Sequence, residues 1–267
     1  MNHSVPPPKV LTIAGSDSGG AAGLQADLRA FAALHVYGMS VVTAVTAQNS
    51  VSVQAVQYLP ASLVMAQLDA VLSDYGAAAV KTGFIGRPEL VIAISSKLQQ
   101  HHCRPVIIDP VLVNHRGQAM FPDVVRQLYL AYLLPLADLF TPNLTEAALL
   151  LNTSMPANSD LTKLARLAQQ LYRWGARHVL LKGGRDGAAR VDVFYDGQQA
   201  QLLYTPYVET INTHGAGDTL SAAVAAYLAR GEGMATAVAH AHQFTAQAIQ
   251  RAAHWQLGQG HGPVWPL

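Results

Sequence analysis

Between Asn212 and Leu220 the chain reads Asn-Thr-His-Gly-Ala-Gly-Asp-Thr-Leu, with two glycines and a carboxylate within four residues. Leu220, Val224, Tyr227 and Leu228 follow at i, i+4, i+7 and i+8, the spacing of one apolar helix face. The stretch therefore reads as a glycine loop opening a helix. Gly215 and Gly217, with Ala216 between them, let the backbone turn its free N–H groups toward whatever lies at the helix N-terminus. Those donors and the positive end of the helix dipole make an anion site. Asp218 is a carboxylate where an anion should bind. A lone Asp there is an ordinary first-turn residue. Flanked by a glycine cradle, it suits taking a proton from a hydroxyl that attacks a phosphate.

Other reactive groups stand at the ends of short apolar runs. Lys9 to Ala14 is β-rich and stops at Gly15; Met39 to Ala47 ends at Gln48; Pro105 to Ile108 ends at Asp109. Asp138 to Asn143 is followed by Glu146, and His178 to Leu181 ends at Lys182, Gly183 and Gly184. Singly these are turn, cap or surface residues. In a parallel sheet, however, all such ends lie on one edge, where open α/β sheets bind ligands. Asp109 and Glu146 are hard-oxygen groups suited to Mg²⁺ through water, and Lys182 to neutralising phosphate charge. Asp27 falls inside the Leu24, Leu28, Phe31, Leu34 stripe of the first helix, where a carboxylate is costly unless paired. The loop Gly15 to Gly23 has neither G-x-G-x-x-G spacing nor a closing Gly-Lys-Ser/Thr, which excludes the dinucleotide and P-loop fingerprints.

The positioning elements alternate. Helices are expected from Leu24, over Ser62 to Leu72 with Leu63, Ala66 and Ala70 on one face, and from Pro88. Further helices are expected over Pro122 to Leu133, from Thr145, over Asp160 to Trp174, and over Met234 to Trp255. Ala77 to Gly83 is a third strand, and Arg190 to Tyr195 with Gln199 to Thr205 flank an Asp-Gly hairpin turn. Strand and helix alternate without a linker or internal repeat. This predicts one α/β domain over residues 1–267, a three-layer α/β/α sandwich on a mostly parallel sheet.

Composition narrows the function classes. Of 267 residues 51% are hydrophobic and 12% charged, so much apolar surface must be covered, and a homodimer is expected. The net charge of +1, with no Lys/Arg run, gives no footprint for nucleic acid or an anionic membrane. The single Cys103 excludes an internal disulfide. With no signal-like or membrane-length apolar run, a cytoplasmic location is expected. The eleven histidines lack zinc spacing.

The ordered blocks Gly15-Ser-Asp-Ser-Gly-Gly-Ala-Ala-Gly-Leu-Gln-Ala-Asp-Leu28, Thr46-Ala-Gln-Asn49, Lys81-Thr-Gly83, Asp109-Pro-Val111, Thr141-Pro-Asn-Leu-Thr-Glu-Ala147, Lys182-Gly-Gly184 and Asn212-Thr-His-Gly215 resemble the hydroxymethylpyrimidine/phosphomethylpyrimidine kinases of thiamine biosynthesis, members of the ribokinase-like superfamily. The match runs from residue 9 to about 230, and Gly260-His-Gly-Pro263 is similar too. The resemblance implies an ATP- and Mg²⁺-dependent kinase. It would phosphorylate the hydroxymethyl group of 4-amino-5-hydroxymethyl-2-methylpyrimidine and then the monophosphate. It also implies that Gly15, Asp27 and Gln48 hold the pyrimidine, with Phe84 and Val111 as apolar walls. Lys182, Gly183 and Thr213 would serve the nucleotide, Asp109 and Glu146 the metal, and Gly215, Ala216 and Gly217 the transferring phosphoryl group.

Two positions depart from that family's habit. Gly215-Ala-Gly-Asp218 stands where the family usually has Gly-Thr-Gly-Cys, and an aspartate there is the habit of sugar kinases and many pyridoxal kinases. Asn114-His-Arg-Gly117 replaces the usual Ala-Lys-Ser-Gly. The nearest rival is therefore a pyridoxal/pyridoxine kinase on the same fold. A rival of another class, an inactive ligand-responsive regulator, has no need of Asp109, Glu146, Lys182 and Asp218 together.

Overall fold

The computed structural model describes residues 5–114 and 117–267. His115 and Arg116, half of the departing loop, lie outside the described residues, as do residues 1–4.

Nine strands make one sheet. In chain order they are β1 (Lys9–Asp17), β2 (Tyr37–Gln48), β3 (Val53–Tyr58), β4 (Ala79–Thr82), β5 (Val106–Ile108), β6 (Leu139–Phe140), β7 (Val179–Asp186), β8 (Ala189–Tyr195) and β9 (Ala200–Pro206). They lie side by side as β3-β2-β1-β4-β5-β6-β7-β8-β9. From β2 to β7 every pairing is parallel; β3, β8 and β9 add antiparallel edges. The helices are α1 (Gly23–Ala33), α2 (Ala61–Asp74), α3 (Pro88–Gln100), α4 (Asp123–Leu128), α5 (Leu144–Leu151), α6 (Leu161–Arg173), α7 (Ala216–Ala229) and α8 (Met234–Ala252).

Alternation along the strands sorts the core into two layers. Val10, Ala79, Ile107 and Leu180 pack with α1, α7 and α8 on one face. Leu11, Val80, Val106 and Ile108 pack with the remaining helices on the other. This is the α/β/α sandwich that the alternating sequence predicts. The ligand-facing edge follows from the parallel pairs, since their C-terminal ends must lie together.

Four local expectations are corrected. β1 runs through Gly15 to Asp17, with a register shift between Ala14 and Ser16. The exposed edge strand β3 carries no apolar-in, polar-out alternation and is invisible to pattern reading. Helix α2 buries Val64 and Leu68, not the Leu63 face, and Leu63 is 48% exposed. Val64, Leu68 and Val71 make the more apolar stripe, and on the same side the Gln67 amide donates to the Val42 carbonyl and accepts from its N–H, tying α2 to β2. The helix expected through Leu133 ends at Leu128 in regular form and widens to a π-turn over Tyr129–Leu133. Among the described residues no helix is long and apolar enough to cross a membrane.

Candidate active site

Helix α7 is the hub. Its alanines and serine make it buried nearly all round, so it lies close against the sheet and α8, and its N-terminus meets the strand ends. Gly215 precedes it at φ +77°, and a Cβ there would stand 1.8 Å from the Ala21 carbonyl oxygen. Only glycine lets this loop pack on the Gly15–Gly23 loop. That second loop is organised by Asp17, whose carboxylate accepts from the N–H groups of Gly19, Ala21 and Ala22.

Three arms reach the residues 214–218. In the first, Lys81 of β4 lies wholly buried with Nζ 2.6 Å from Asp27 Oδ1 and 3.2 Å from Asp218 Oδ1. Thr12 donates to the other Asp27 oxygen at 2.5 Å. Asp27 thus has both oxygens engaged and no exposure, and acts on the site through Lys81. A pyrimidine contact for Asp27, implied by the resemblance, would have to displace Thr12 or Lys81. Burial pushes Asp27 up to about 7 against the pull of Lys81. Asp218 is also driven up by burial, but the charge and hydrogen bond of Lys81, with Lys182, hold it below the usual carboxylate range. Lys81 itself stays an ammonium, because Asp27, Asp218 and Asp109 outweigh the cost of burying it. The two carboxylates are pushed apart, one toward the acid and one toward the base form.

In the second arm, Lys182 Nζ lies 3.0 Å from Asp109 Oδ1, and Ser221 Oγ donates to Asp109 Oδ2 at 3.1 Å. A Cβ on Gly217 would come 3.2 Å from Lys182 Nζ, so this pair sits directly at the start of α7. Glu146 stands beside it and closes a capping box with Asn143. One Glu146 oxygen accepts from Asn143 N and the other from Leu112 N, each at 2.9 Å. Burial pushes Glu146 up to about 7, with Lys182 pulling it down and Asp109 pushing it up.

The third arm is Gln48, half-buried at the end of β2, with Nε2 2.9 Å from His214 Nε2. Phe84 lies next to Gly15, stacked on Tyr58 at 5.9 Å and tilted toward Phe121 at 5.5 Å. Val111 follows Asp109-Pro110 at φ +44°, a conformation that β-branched residues avoid and that marks strained site backbone. Gly183, at φ +105°, donates its N–H to Asp192 Oδ1. Thr213 lines a cavity of about 190 Å³ with Arg190, Asp192, Thr205, His242 and Ile249.

Two residues that the structure brings to this edge, Lys81 and His214, were not singled out by sequence reasoning. Lys81 was visible only as a cation inside the apolar run Ala77–Gly83, a pattern that demands a buried partner. His214 had no sequence signal beyond its place before Gly215. Among the described residues no group of three or more His, Cys, Asp or Glu side chains is placed to hold a metal unaided.

Donors at a helix N-terminus, a carboxylate held anionic beside them and two buried lysines on a three-layer α/β fold define a phosphotransferase. Comparison with known proteins agrees. Residues 17–265 match the family model described as phosphomethylpyrimidine kinase. A hydroxymethylpyrimidine/phosphomethylpyrimidine kinase of Rhizobium meliloti is 48% identical over 95% of each chain. One from Streptomyces coelicolor is 43% identical over 98% of this chain and 97% of its own. Among solved structures, the ADP complex of Bacillus subtilis pyridoxal kinase superposes with a TM-score of 0.90 at 34% identity, covering 97% of both chains. Phosphomethylpyrimidine kinase from Clostridium difficile gives 0.80 at 33% identity over 91% of this chain and 99% of that one. The chain belongs to the phosphomethylpyrimidine kinase family, on the ribokinase-like fold.

Proposed function

We infer that the chain is an ATP-dependent kinase of thiamine biosynthesis. It phosphorylates the hydroxymethyl group of 4-amino-5-hydroxymethyl-2-methylpyrimidine and then the monophosphate to the diphosphate. The observation that carries the reading is the anionic Asp218 beside Lys81 at the glycine-bounded start of α7, within a chain of this family.

In the proposed mechanism, Gln48 meets the aminopyrimidine edge, because a carboxamide offers both a donor and an acceptor. Phe84 and Val111 flank the ring, with Gly15 leaving room for it. Asp218 takes the hydroxyl proton as the oxygen attacks the terminal phosphorus of ATP and ADP leaves. The N–H groups of Gly215 and Gly217 receive the charge of the transferring phosphoryl group, and Lys182 neutralises it. Ala216, whose own N–H donates to the Thr213 carbonyl, closes the turn between them. Gly183, Thr213 and the 190 Å³ cavity beside them serve the nucleotide.

Asp109 and Glu146 stand buried beside Lys182 at the strand ends. Their hard-oxygen donors fit Mg²⁺. Both Glu146 oxygens already accept backbone N–H groups, so Asp109 and Glu146 would hold the ion through water. The ion would offset phosphate charge. We also propose a homodimer, for which the exposed Val45, Val53 and Val56 on the β2–β3 edge provide apolar surface.

A second reading, a pyridoxal-type acceptor, is favoured by the superposition on the Bacillus subtilis pyridoxal kinase and by Asp218. One assay separates them. The protein is incubated with ATP and Mg²⁺ and, separately, the pyrimidine, its monophosphate and pyridoxine, and products are identified by mass. Mono- and diphosphorylated pyrimidine are expected; faster turnover of pyridoxine would overturn the assignment.

A further inference from the structure

Gln48 presents its amide nitrogen to His214. Its Nε2 meets His214 Nε2 at 2.9 Å, and a carboxamide nitrogen can only donate. The His214 nitrogen it meets therefore accepts in this contact, which leaves Nδ1 as the ring position for the proton. Gln48 Oε1 has no partner among the described residues. The His214 backbone is anchored: its main-chain N–H donates to the Gly262 carbonyl at 3.0 Å, and its main-chain carbonyl accepts from Val264 N at 3.2 Å. Its ring lies 5.3 Å from that of His261.

The consequence rests on the reading that Gln48 meets the aminopyrimidine edge. The outer end of an amide offers an acceptor and a donor in a definite order. The pyrimidine offers its amino N–H and the adjacent ring nitrogen in a matching order, with the hydroxymethyl arm on the other side of the amino group. Turning the amide over exchanges its donor and acceptor. The ring must then turn over to pair again, which swings the arm to the opposite side. We propose that His214 is a positioning residue: by accepting from Gln48 Nε2 it sets the donor–acceptor order of that amide and so aims the hydroxymethyl arm at the Gly215–Asp218 cradle.

The test is a double-mutant comparison on the full-length protein, with hydroxymethylpyrimidine, ATP and Mg²⁺. His214→Phe keeps a ring beside His261 but removes the acceptor. It should lower kcat roughly 10- to 100-fold, the scale of a misaimed reacting group, with a smaller change in KM. His214→Lys, which offers only donors, should be as poor, whereas His214→Gln, which can accept, should recover part of the loss. In a Gln48→Ala background His214→Phe should add less than about threefold, because there is no amide left to orient. Equal losses in both backgrounds, or wild-type kcat in His214→Lys, would overturn the proposal and leave His214 a packing residue. If His214→Phe does not fold, the Lys and Gln variants carry the same comparison. Wild-type kinetics in Gln48→Ala alone would instead remove the underlying reading of Gln48, and the inference with it.

Discussion

Lys81 Nζ lies 3.2 Å from Asp218 Oδ1, and none of the lysine side chain is exposed. The same ammonium pairs with the fully buried Asp27, so one buried cation serves two carboxylates. Lys81→Met should therefore cost about 3–5 kcal/mol, the range for removing one partner of a buried ion pair. Lys81→Met combined with Asp27→Asn should recover part of that loss. Urea unfolding of the three proteins measures it; a single variant within 1 kcal/mol of wild type would mean that Lys81 is not the charge partner of the pair.

Lys81 also shows where reading the sequence stops. The alternation of apolar runs and amphipathic helices made the three-layer fold legible, because burial of a parallel sheet leaves that pattern. The strand ends likewise marked Gly15, Gln48, Asp109 and Lys182 for one edge. Partnership was not legible. Asp27 was marked as a buried carboxylate, but its cation comes from 54 residues away and Asp218 lies 137 from Lys81. Helix α2 conceals its buried face for another reason: Val64, Leu68 and Val71 form a more apolar stripe than Leu63, Ala66 and Ala70, but the polar Gln67 on that side, which bonds the backbone of β2, hides it. The bond of Gln48 to His214, across 166 residues, has no local trace at all.

Stability should respond to pH through Glu146. Its folded value of about 7 lies above the unfolded 4.5, so the native state binds the extra proton between those limits. The contribution is fully present below pH 4.5 and is lost as pH rises through about 7. Asp27 acts in the same sense from 3.8 to about 7, and Asp218, held below its ordinary value, in the opposite sense at low pH. Glu146→Gln should flatten the decline between pH 5 and pH 8. It should also cost about 1–3 kcal/mol throughout, since its NH₂ must face the Leu112 or Asn143 N–H. Denaturant unfolding at the two pH values decides; an unchanged slope would show that Glu146 does not take up the proton.

The two glycines of the cradle should differ. Gly215→Ala sets a Cβ 1.8 Å from the Ala21 oxygen at φ +77°, and only backbone movement relieves it. A loss of at least about 2 kcal/mol and of nearly all turnover is expected. Gly217→Ala crowds the end of Lys182, at 3.2 Å, which can yield by a few tenths of an ångström, and meets Asp109 Oδ2 at an ordinary 3.7 Å. Melting should change little while kcat falls, because Lys182 is displaced from the anion site. Equal melting shifts for the two would contradict the packing of the loops.

Asp218 separates the two phosphoryl transfers. In the first, the attacking group is a neutral hydroxyl that must lose a proton, and Asp218 is the carboxylate held anionic at the cradle. In the second, the attacking group is a phosphate oxygen, whose second pKa of about 6 leaves it mostly ionised near pH 7.5. It has no proton to give up. Asp218→Asn keeps the shape but removes the basic oxygen, so the first transfer should slow roughly 10²–10⁴-fold. The second should slow far less, and ATP binding should hold or tighten as a negative charge leaves the phosphate site. A helix-start role predicts something else: Asn caps nearly as well as Asp, so neither transfer nor stability should suffer. Supplying the pyrimidine and its monophosphate separately, with products resolved by mass in single turnovers, reads each transfer alone. Equal slowing of both would mean that Asp218 holds the geometry of the cradle and the ammonium of Lys81, and that the proton leaves by another route.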